Sequence, residues 1–241
     1  TKMYYDMDMD LAPHQMHPME LISQGKGNTD LISGYTSSSI GISEQVTLNV
    51  GVNAQVLTLN NSWALEPRAG IKWQFSPKSS FALAYGLHSR MEKMDVYFVK
   101  TQGTGDRSVN KDLGFTRAHH VMLSYGFKIS DNMNMKIEPY FQQLYDVPVI
   151  ADSSYSVLNR RDFYVENALV NRGKGRNIGV DITLERYLNK GLYYMVTASI
   201  FDSKYYGGDR KWRNTLYNRN FIVNVLGGKE WMVGRDKQNM F

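Results

Sequence analysis

The chain contains no cysteine in 241 residues, only 6 prolines, and no long hydrophobic run. Without cysteine, a disulfide framework and a thiolate metal site are both excluded. That absence does not choose a compartment. The longest apolar stretches are a few residues, such as Ile222-Val223, whereas a membrane-spanning helix needs about 20. An initiator Met, a basic leader and an apolar leader are all missing, so the expectation is a processed chain or an internal fragment. Charged residues make up 21% and the hydrophobic set 42%, which is not the composition of a disordered tail.

What is present is aromatic. Tyrosine occurs 16 times and aromatics reach 12%, yet mean hydropathy is −0.42. Such a chain alternates apolar and polar side chains, and the alternation can be read directly. In residues 45–56, Val46, Leu48, Val50, Val52, Ala54 and Val56 share one parity, while Thr47, Asn49, Gly51, Asn53 and Gln55 share the other. A period of two over this length is a strand with one apolar face, not a helical stripe. The same pattern recurs at 65–75, 121–129, 135–142, 178–185 and 192–201. It predicts strands at about 31–43, 45–59, 63–75, 79–91, 117–130, 133–148, 175–189, 192–206 and 219–231, with a weaker one near 3–11.

Strands of soluble proteins usually run about 5–6 residues. These run about 13–16, enough to cross a roughly 25 Å apolar band at a 45° tilt. The connections alternate as well. Glu44, Ser76-Pro77-Lys78, Asp131-Asn132 and Lys190-Gly191 are tight turns, whereas 12–30, 92–116, 149–174 and 207–218 are long and 60–62 is short. Short turns on one side and mostly long loops on the other mark an outer-membrane barrel. Closure is also what lets a sheet sit in lipid without unpaired edge groups. Aromatics near strand ends (Trp73, Phe75, Phe81 and Tyr187 at one end, Trp63, Phe141 and Tyr145 at the other) suit interfacial girdles.

Several stretches carry a more specific signal. Leu65-Glu66-Pro67-Arg68-Ala69-Gly70-Ile71, Phe81 through Ser89, Lys136-Ile137-Glu138-Pro139-Tyr140 and Leu169 through Val180 are among them, as are Trp212-Arg213-Asn214-Thr215 and Asn224 through Glu230. Together they resemble the barrel of TonB-dependent outer-membrane receptors of the Bacteroidetes type, from about residue 30 onward. The resemblance implies an all-β, transmembrane, antiparallel up-and-down β-barrel. The 9–10 strands of residues 1–241 would then be a single-domain fragment of a larger barrel of about 22 strands, lacking the N-terminal plug and the closing strands. It further implies active import of a scarce extracellular nutrient with TonB-coupled energy, with no enzymatic step. The implied partners are outer-membrane lipid and lipopolysaccharide, the TonB complex through the plug, a small nutrient ligand and, in some receptors, a surface lipoprotein. Two rivals stay open: a structural, adhesive or passive-pore barrel, and a soluble β-protein that binds polysaccharide.

Candidate site residues follow from facing. Glu66, Arg68, Lys72, Lys128, Lys136, Glu138, Asp181 and Glu185 fall on the polar parity, where a lumen would let them pair across strands and hold a plug. Tyr205, Tyr206, Arg210, Trp212 and Arg213 form a basic and aromatic loop suited to stacking on sugars and attracting anions. On an outer-membrane surface lipopolysaccharide is the simpler anionic partner, so a net charge of +5 is no argument for nucleic acid. His14, Met16, His17 and Met19 could suit copper, but chance composition of a surface loop explains them as well, and no metal site or cofactor is assigned. Gly173 through Gly179 is no dinucleotide fingerprint, since it leads into a strand. No nucleophile stands in a recognisable catalytic context.

Overall fold

The computed structural model describes residues 1–11, 20–101, 108–160, 164–233 and 239–240. The His14, Met16, His17 and Met19 stretch and Phe241 lie outside them. The strands are β1 (Lys2–Leu11), β2 (Glu20–Gly41), β3 (Val46–Leu57), β4 (Ser62–Ser76), β5 (Ser79–Arg90), β6 (Thr116–Ser130), β7 (Met133–Val149), β8 (Val170–Asn189), β9 (Leu192–Tyr206), β10 (Trp212–Asn214) and β11 (Phe221–Lys229). These eleven form one antiparallel sheet in chain order, with β10 and β11 both pairing with β9. A short pair, β12 (Met232–Val233) and β13 (Asn239–Met240), stands apart. One helical turn, α1 (Met94–Tyr97), lies in the connection between β5 and β6. No helix among the described residues is long and apolar enough to cross a membrane.

Tight turns close one end of the sheet. Ser76 pairs with Ser79 across Pro77-Lys78, Ser130 with Met133 across Asp131-Asn132, and Asn189 with Leu192 across Lys190-Gly191. Lys190 and Gly191 both have positive φ, 53° and 76°, the turn whose twist matches a hairpin and which favours glycine. Glu44 alone does not connect two strands, because one residue cannot reverse the chain. β2 ends at Gly41 and β3 starts at Val46, and the bend is closed by Ile42 N–H donating to the Val46 carbonyl at 2.9 Å and Val46 N–H donating to Ser43 Oγ at 3.1 Å.

At the other end the strands run further than the periodicity predicts. Residues 20–30 belong to β2 and pair with β1, from Lys2↔Asp30 to Leu11↔Glu20. Residues 170–174 belong to β8, and 212–214 form β10 within the expected loop 207–218. Residues 20–30 and 170–174 have polar outward faces, and β10 is only three residues long, so the alternation that marks the other strands fails there.

The two faces of the sheet differ in an unusual sense. The apolar parity is the exposed one: Leu65 is 52% exposed beside Glu66 at 4%, and Ile178 and Ile200 are 48% and 62% exposed. The polar parity of β2 to β6 lines a cavity of about 570 Å³ that includes Ser37, Asn49, Gly51, Arg68, Gly86 and His120, so this face is the concave one. Buried apolar side chains collect at the long-loop end. Leu57 and Ala64 of the concave face pack there with Val96, Tyr97, Phe98, Val99, Leu113, Phe115, Val165 and Leu169.

Candidate functional site

The outward face of β8 sets the scale. Ile178, Val180, Ile182 and Leu184 lie between Arg176 and Arg186, which stand ten positions apart on the same parity. At about 3.3 Å per residue and a 45° tilt this interval is roughly 23 Å high, close to the height of the apolar band of an outer-membrane barrel. Outward apolar side chains continue across neighbouring strands in register, through Ile178↔Phe141 and Phe141↔Val121. Aromatics stand at both limits. Trp73, Phe75 and Phe81 are exposed toward the turn end and Trp63 and Phe141 toward the loop end. Tyr145 stacks on His119 at 5.1 Å, and His119 Nδ1 meets the Tyr85 hydroxyl at 2.9 Å. Tyr187 departs from the girdle expectation. Its hydroxyl accepts from Asn134 Nδ2 at 3.3 Å, and it lines a concave-face cavity with Lys128, Lys136 and Glu185.

The charges expected in a lumen stand on this concave parity: Glu66 and Arg68 on β4, Lys136 and Glu138 on β7, Asp181 and Glu185 on β8. Lys72 is paired in register with Thr47 and Ala82. The ionic pairing differs from the expectation. Arg68 meets Glu66 at 3.2 Å and Lys136 meets Glu138 at 2.8 Å, each along one strand rather than across two. Asp181 faces Glu138 and Glu185 faces Asn134, so the cross-strand neighbours are not counter-ions.

Glu66 is a junction. Its carboxylate accepts from Asn53 Nδ2 at 3.0 Å, Gln55 Nε2 at 2.9 Å, Arg68 at 3.2 Å, and the Ser89 amide and hydroxyl at 2.8 and 2.5 Å. A carboxylate offers about four acceptor positions, so Glu66 is saturated by β3, β4 and β5. It welds these strands and has no capacity left for a plug or a cargo. A second, mostly uncharged row crosses the concave face. His88 meets His120 edge-on at 4.8 Å, His120 contacts Gln142, Gln142 contacts Asn177, and Ser203 donates to Asn177 at 2.6 Å while accepting from Thr215 at 3.0 Å. The sequence placed His119 and His120 on opposite faces, and so they are. The continuous ladder was not foreseen, because its members become neighbours only once register is known.

The long connections fold over the concave face and lock together. Asn110 is buried. Its Oδ1 accepts from the Leu169 amide at 2.7 Å and its Nδ2 donates to the Asn167 carbonyl at 3.0 Å. Asn60 reaches the carbonyls of Lys111 and Leu113, Arg160 meets Asp95 at 3.3 Å, and the Leu216 amide donates to Asn159 Oδ1 at 2.7 Å. The segment 98–100 also pairs with the upper edge of β2, where the Phe98 ring lies tilted against Tyr5 of β1, ring centres 4.5 Å apart. Gly25 makes room for that ring, since a Cβ there would collide with it. Burial pushes the Tyr97 hydroxyl up to about 12, so it stays neutral while accepting from the Glu92 amide at 3.1 Å.

The basic and aromatic loop residues do not form one patch. Tyr205 is buried on the concave side, and Arg213, paired with it in register, binds Asp209 at 2.5 Å. Hydrogen bonding from Arg213 holds the Asp209 carboxyl below its ordinary value. Tyr206 and Trp212 lie on the outward side, 5.3 Å apart, with Lys174 and Arg176 over their rings. Arg210 joins Arg172 and Lys174 around a small cavity there. Arg172, Lys174 and Arg176 were missed as site residues. The signal was available, since three basic residues continue the parity of Ile178 to Leu184.

No family model matches the sequence, and no curated protein matches it either. Solved structures do match. The outer membrane transporter YddB from Escherichia coli is 12% identical, with a TM-score of 0.58 over 93% of this chain and 37% of that one. A mutant of the ferric enterobactin receptor PfeA from Pseudomonas aeruginosa is 11% identical, with a TM-score of 0.59 over 88% of this chain and 31% of that one. The FrpB iron transporter from Neisseria meningitidis is 16% identical, with a TM-score of 0.55 over 76% of this chain and 27% of that one. The chain shares the fold of the β-barrels in these structures. The chain spans about a third of the length of these structures.

Proposed function

We propose that these residues are part of the barrel of a TonB-dependent outer-membrane receptor that imports a scarce extracellular nutrient. The observation that carries the reading is the inverted wall: exposed apolar side chains on the convex face, and a polar, half-buried concave face beneath interlocked loops. Lipid is the solvent that such a convex face matches. β1 and β11 pair with inner neighbours only among the described residues, so on this reading further strands close a larger barrel around a plug. The plug would rest against the concave face and respond to the TonB complex. The chemistry is binding and gating. Loops that fold over the concave face and bind one another support a closed receptor rather than a passive pore, and leave an outer rim open to lipopolysaccharide and to a surface lipoprotein.

The test is uptake by cells expressing the full chain, using a ligand panel that begins with ferric chelates, since two of the structural neighbours are named for iron or a ferric compound. Uptake of one member should stop when the proton gradient is collapsed and when residues 149–174 are deleted. Uptake that persists without the gradient would identify a passive pore. No uptake of any member, with normal assembly in the membrane, would favour a structural or adhesive barrel.

A further inference from the structure

The wall is not joined evenly along its height. β4 pairs with β3 up to Leu57↔Ser62, and β5 pairs with β6 up to Arg90↔Thr116, but β4 and β5 pair with each other only up to Arg68↔Gly86. The cause is local. Backbone groups of a strand point alternately to its two neighbours. Gln74 N–H of β4 donates to the Gln45 carbonyl on the β3 side at 2.8 Å, so the odd positions Pro67, Leu65 and Trp63 face β5. Pro67 has no N–H to give, and the ladder stops there. Above that level the sheet is two panels, β1 to β4 and β5 to β11.

Side chains replace the missing rungs. Ser89 N–H donates to Glu66 Oε1 at 2.8 Å, and the Ser89 carbonyl accepts from Gln55 Nε2 at 3.3 Å. The Ser89 hydroxyl also donates to Glu66 Oε1, at 2.5 Å. The Trp63 carbonyl accepts from Arg117 Nη2 of β6 at 3.2 Å. Higher still, the connection from β5 to β6 crosses to the other panel. The Phe98 carbonyl accepts from Gln24 N–H at 3.2 Å, and Lys100 N–H donates to the Ile22 carbonyl at 2.8 Å. Directly below the seam, Arg68, Gly86 and His88 line the cavity of about 570 Å³.

We propose that this seam is a gate in the wall itself: β4 and β5 part above Arg68 and Gly86 and widen the mouth over that cavity, with Glu66 as the latch and segment 98–100 as a strap across it. The use as a gate rests on the receptor reading above, whereas the seam rests on the pairing alone. Parting the wall between two other strands would strip a row of backbone pairs and leave two unpaired edges. Parting it here breaks bonds made by the Glu66, Gln55 and Arg117 side chains, which water on the concave side replaces at small net cost. Each panel keeps its own ladder while the seam opens.

The test is the rate at which a buried thiol reacts with a maleimide in the full chain, purified in neutral detergent. These residues contain no cysteine, so each introduced thiol is the single target among them. Ala64 is 3% exposed beside the seam, and Ala118 is 8% exposed on β6, away from it. Glu66→Ala should speed labelling of Ala64→Cys by about tenfold, the loss of a charge-assisted bond, and leave Ala118→Cys unchanged. Adding Pro67→Val, which supplies the missing N–H, should return the rate toward that of wild type. Gly25→Val, whose side chain would displace Phe98, should release the strap and speed labelling of Ala64→Cys by itself. If Glu66→Ala does not assemble, Ser89→Ala should still speed it several-fold. No acceleration, or equal acceleration at both thiols, overturns the seam. A Pro67→Val chain with no slowing overturns the account of its cause, and an unchanged rate in Gly25→Val overturns the strap. A wild-type chain that stays dispersed without detergent overturns the receptor reading and the gate with it, while the contrast between the two thiols still decides the seam.

Discussion

The lower and upper parts of the sheet use the same alternation in opposite directions. Between the levels of Arg186 and Arg176 on β8, apolar side chains point outward, and residues such as Ile178 and Ile200 are about half exposed or more. Above that level, on β1, Met3, Tyr5 and Met7 turn inward onto the loop cluster, while Tyr4 is 76% exposed and Asp6 pairs with Lys26 in the open. On the receptor reading, the hydrophobic effect below acts between protein and lipid. Above, it acts within the protein, as in a water-soluble domain. A period of two therefore reports that a strand has two different sides, and only the third dimension tells which side meets which solvent.

The comparison can be broken at its strongest point. Phe98→Ala empties a ring from the inward cluster and should cost about 3–5 kcal/mol locally. The expected result is faster hydrogen exchange across residues 91–101 and 108–115 with the strands below undisturbed, and global unfolding instead would show that the two parts are one cooperative unit. Ile182→Lys places a charge near mid-height on the outward wall and should cost about 2–4 kcal/mol in lipid. Thr183→Lys, one residue on and facing inward, should cost far less in the same urea titration from vesicles. Similar losses at both sites would contradict the assignment of faces. Asn110→Ala removes both of that side chain's bonds and strands buried partners, a cost of about 1–3 kcal/mol. Protection should fall together in 108–115 and 164–171, whereas a fall in one segment only would mean that the loops move separately.

The smallest effect is acid-dependent. The Arg213 contact keeps the Asp209 carboxyl below its ordinary value. Its contribution is therefore complete above the ordinary carboxylate range and is lost as pH falls through the lowered value. Exchange within 207–218 should accelerate in that acid window and not at neutral pH, and Asp209→Asn should remove the acid step.

Strand positions in the lower part were legible because apolar side chains recur on every second residue, and register then brought the polar residues to one face. The upper part was less legible for the same reason. Residues 20–30 and 170–174 are strands whose outward face is polar, so Gln24, Lys26, Arg172 and Lys174 stand where an apolar residue would have announced them. The loop cluster depends on contacts between residues far apart in sequence, such as Asn110 with Leu169. Its one local signal was the bulky run Val96-Tyr97-Phe98-Val99 in an otherwise polar connection. The splitting of Tyr205 from Tyr206 was foreseeable, since neighbours on a strand face opposite ways, and treating the segment as a loop concealed it. Glu66 looked like one of several lumen charges. Its saturation depends on Ser89, which only register brings alongside.

The hairpin of β1 and β2 rises well beyond β3, with segment 98–100 alongside its upper part. The turn after β3 is level with Asp30, whose carbonyl accepts from the Thr58 amide, while β2 continues upward to Glu20, roughly 33 Å of further strand. On the receptor reading this arm, with segment 98–100 beside it, stands far from the apolar band, within reach of an arriving antibody or protease. Epitope tags or immune pressure would therefore register there before they reached anything nearer the cell.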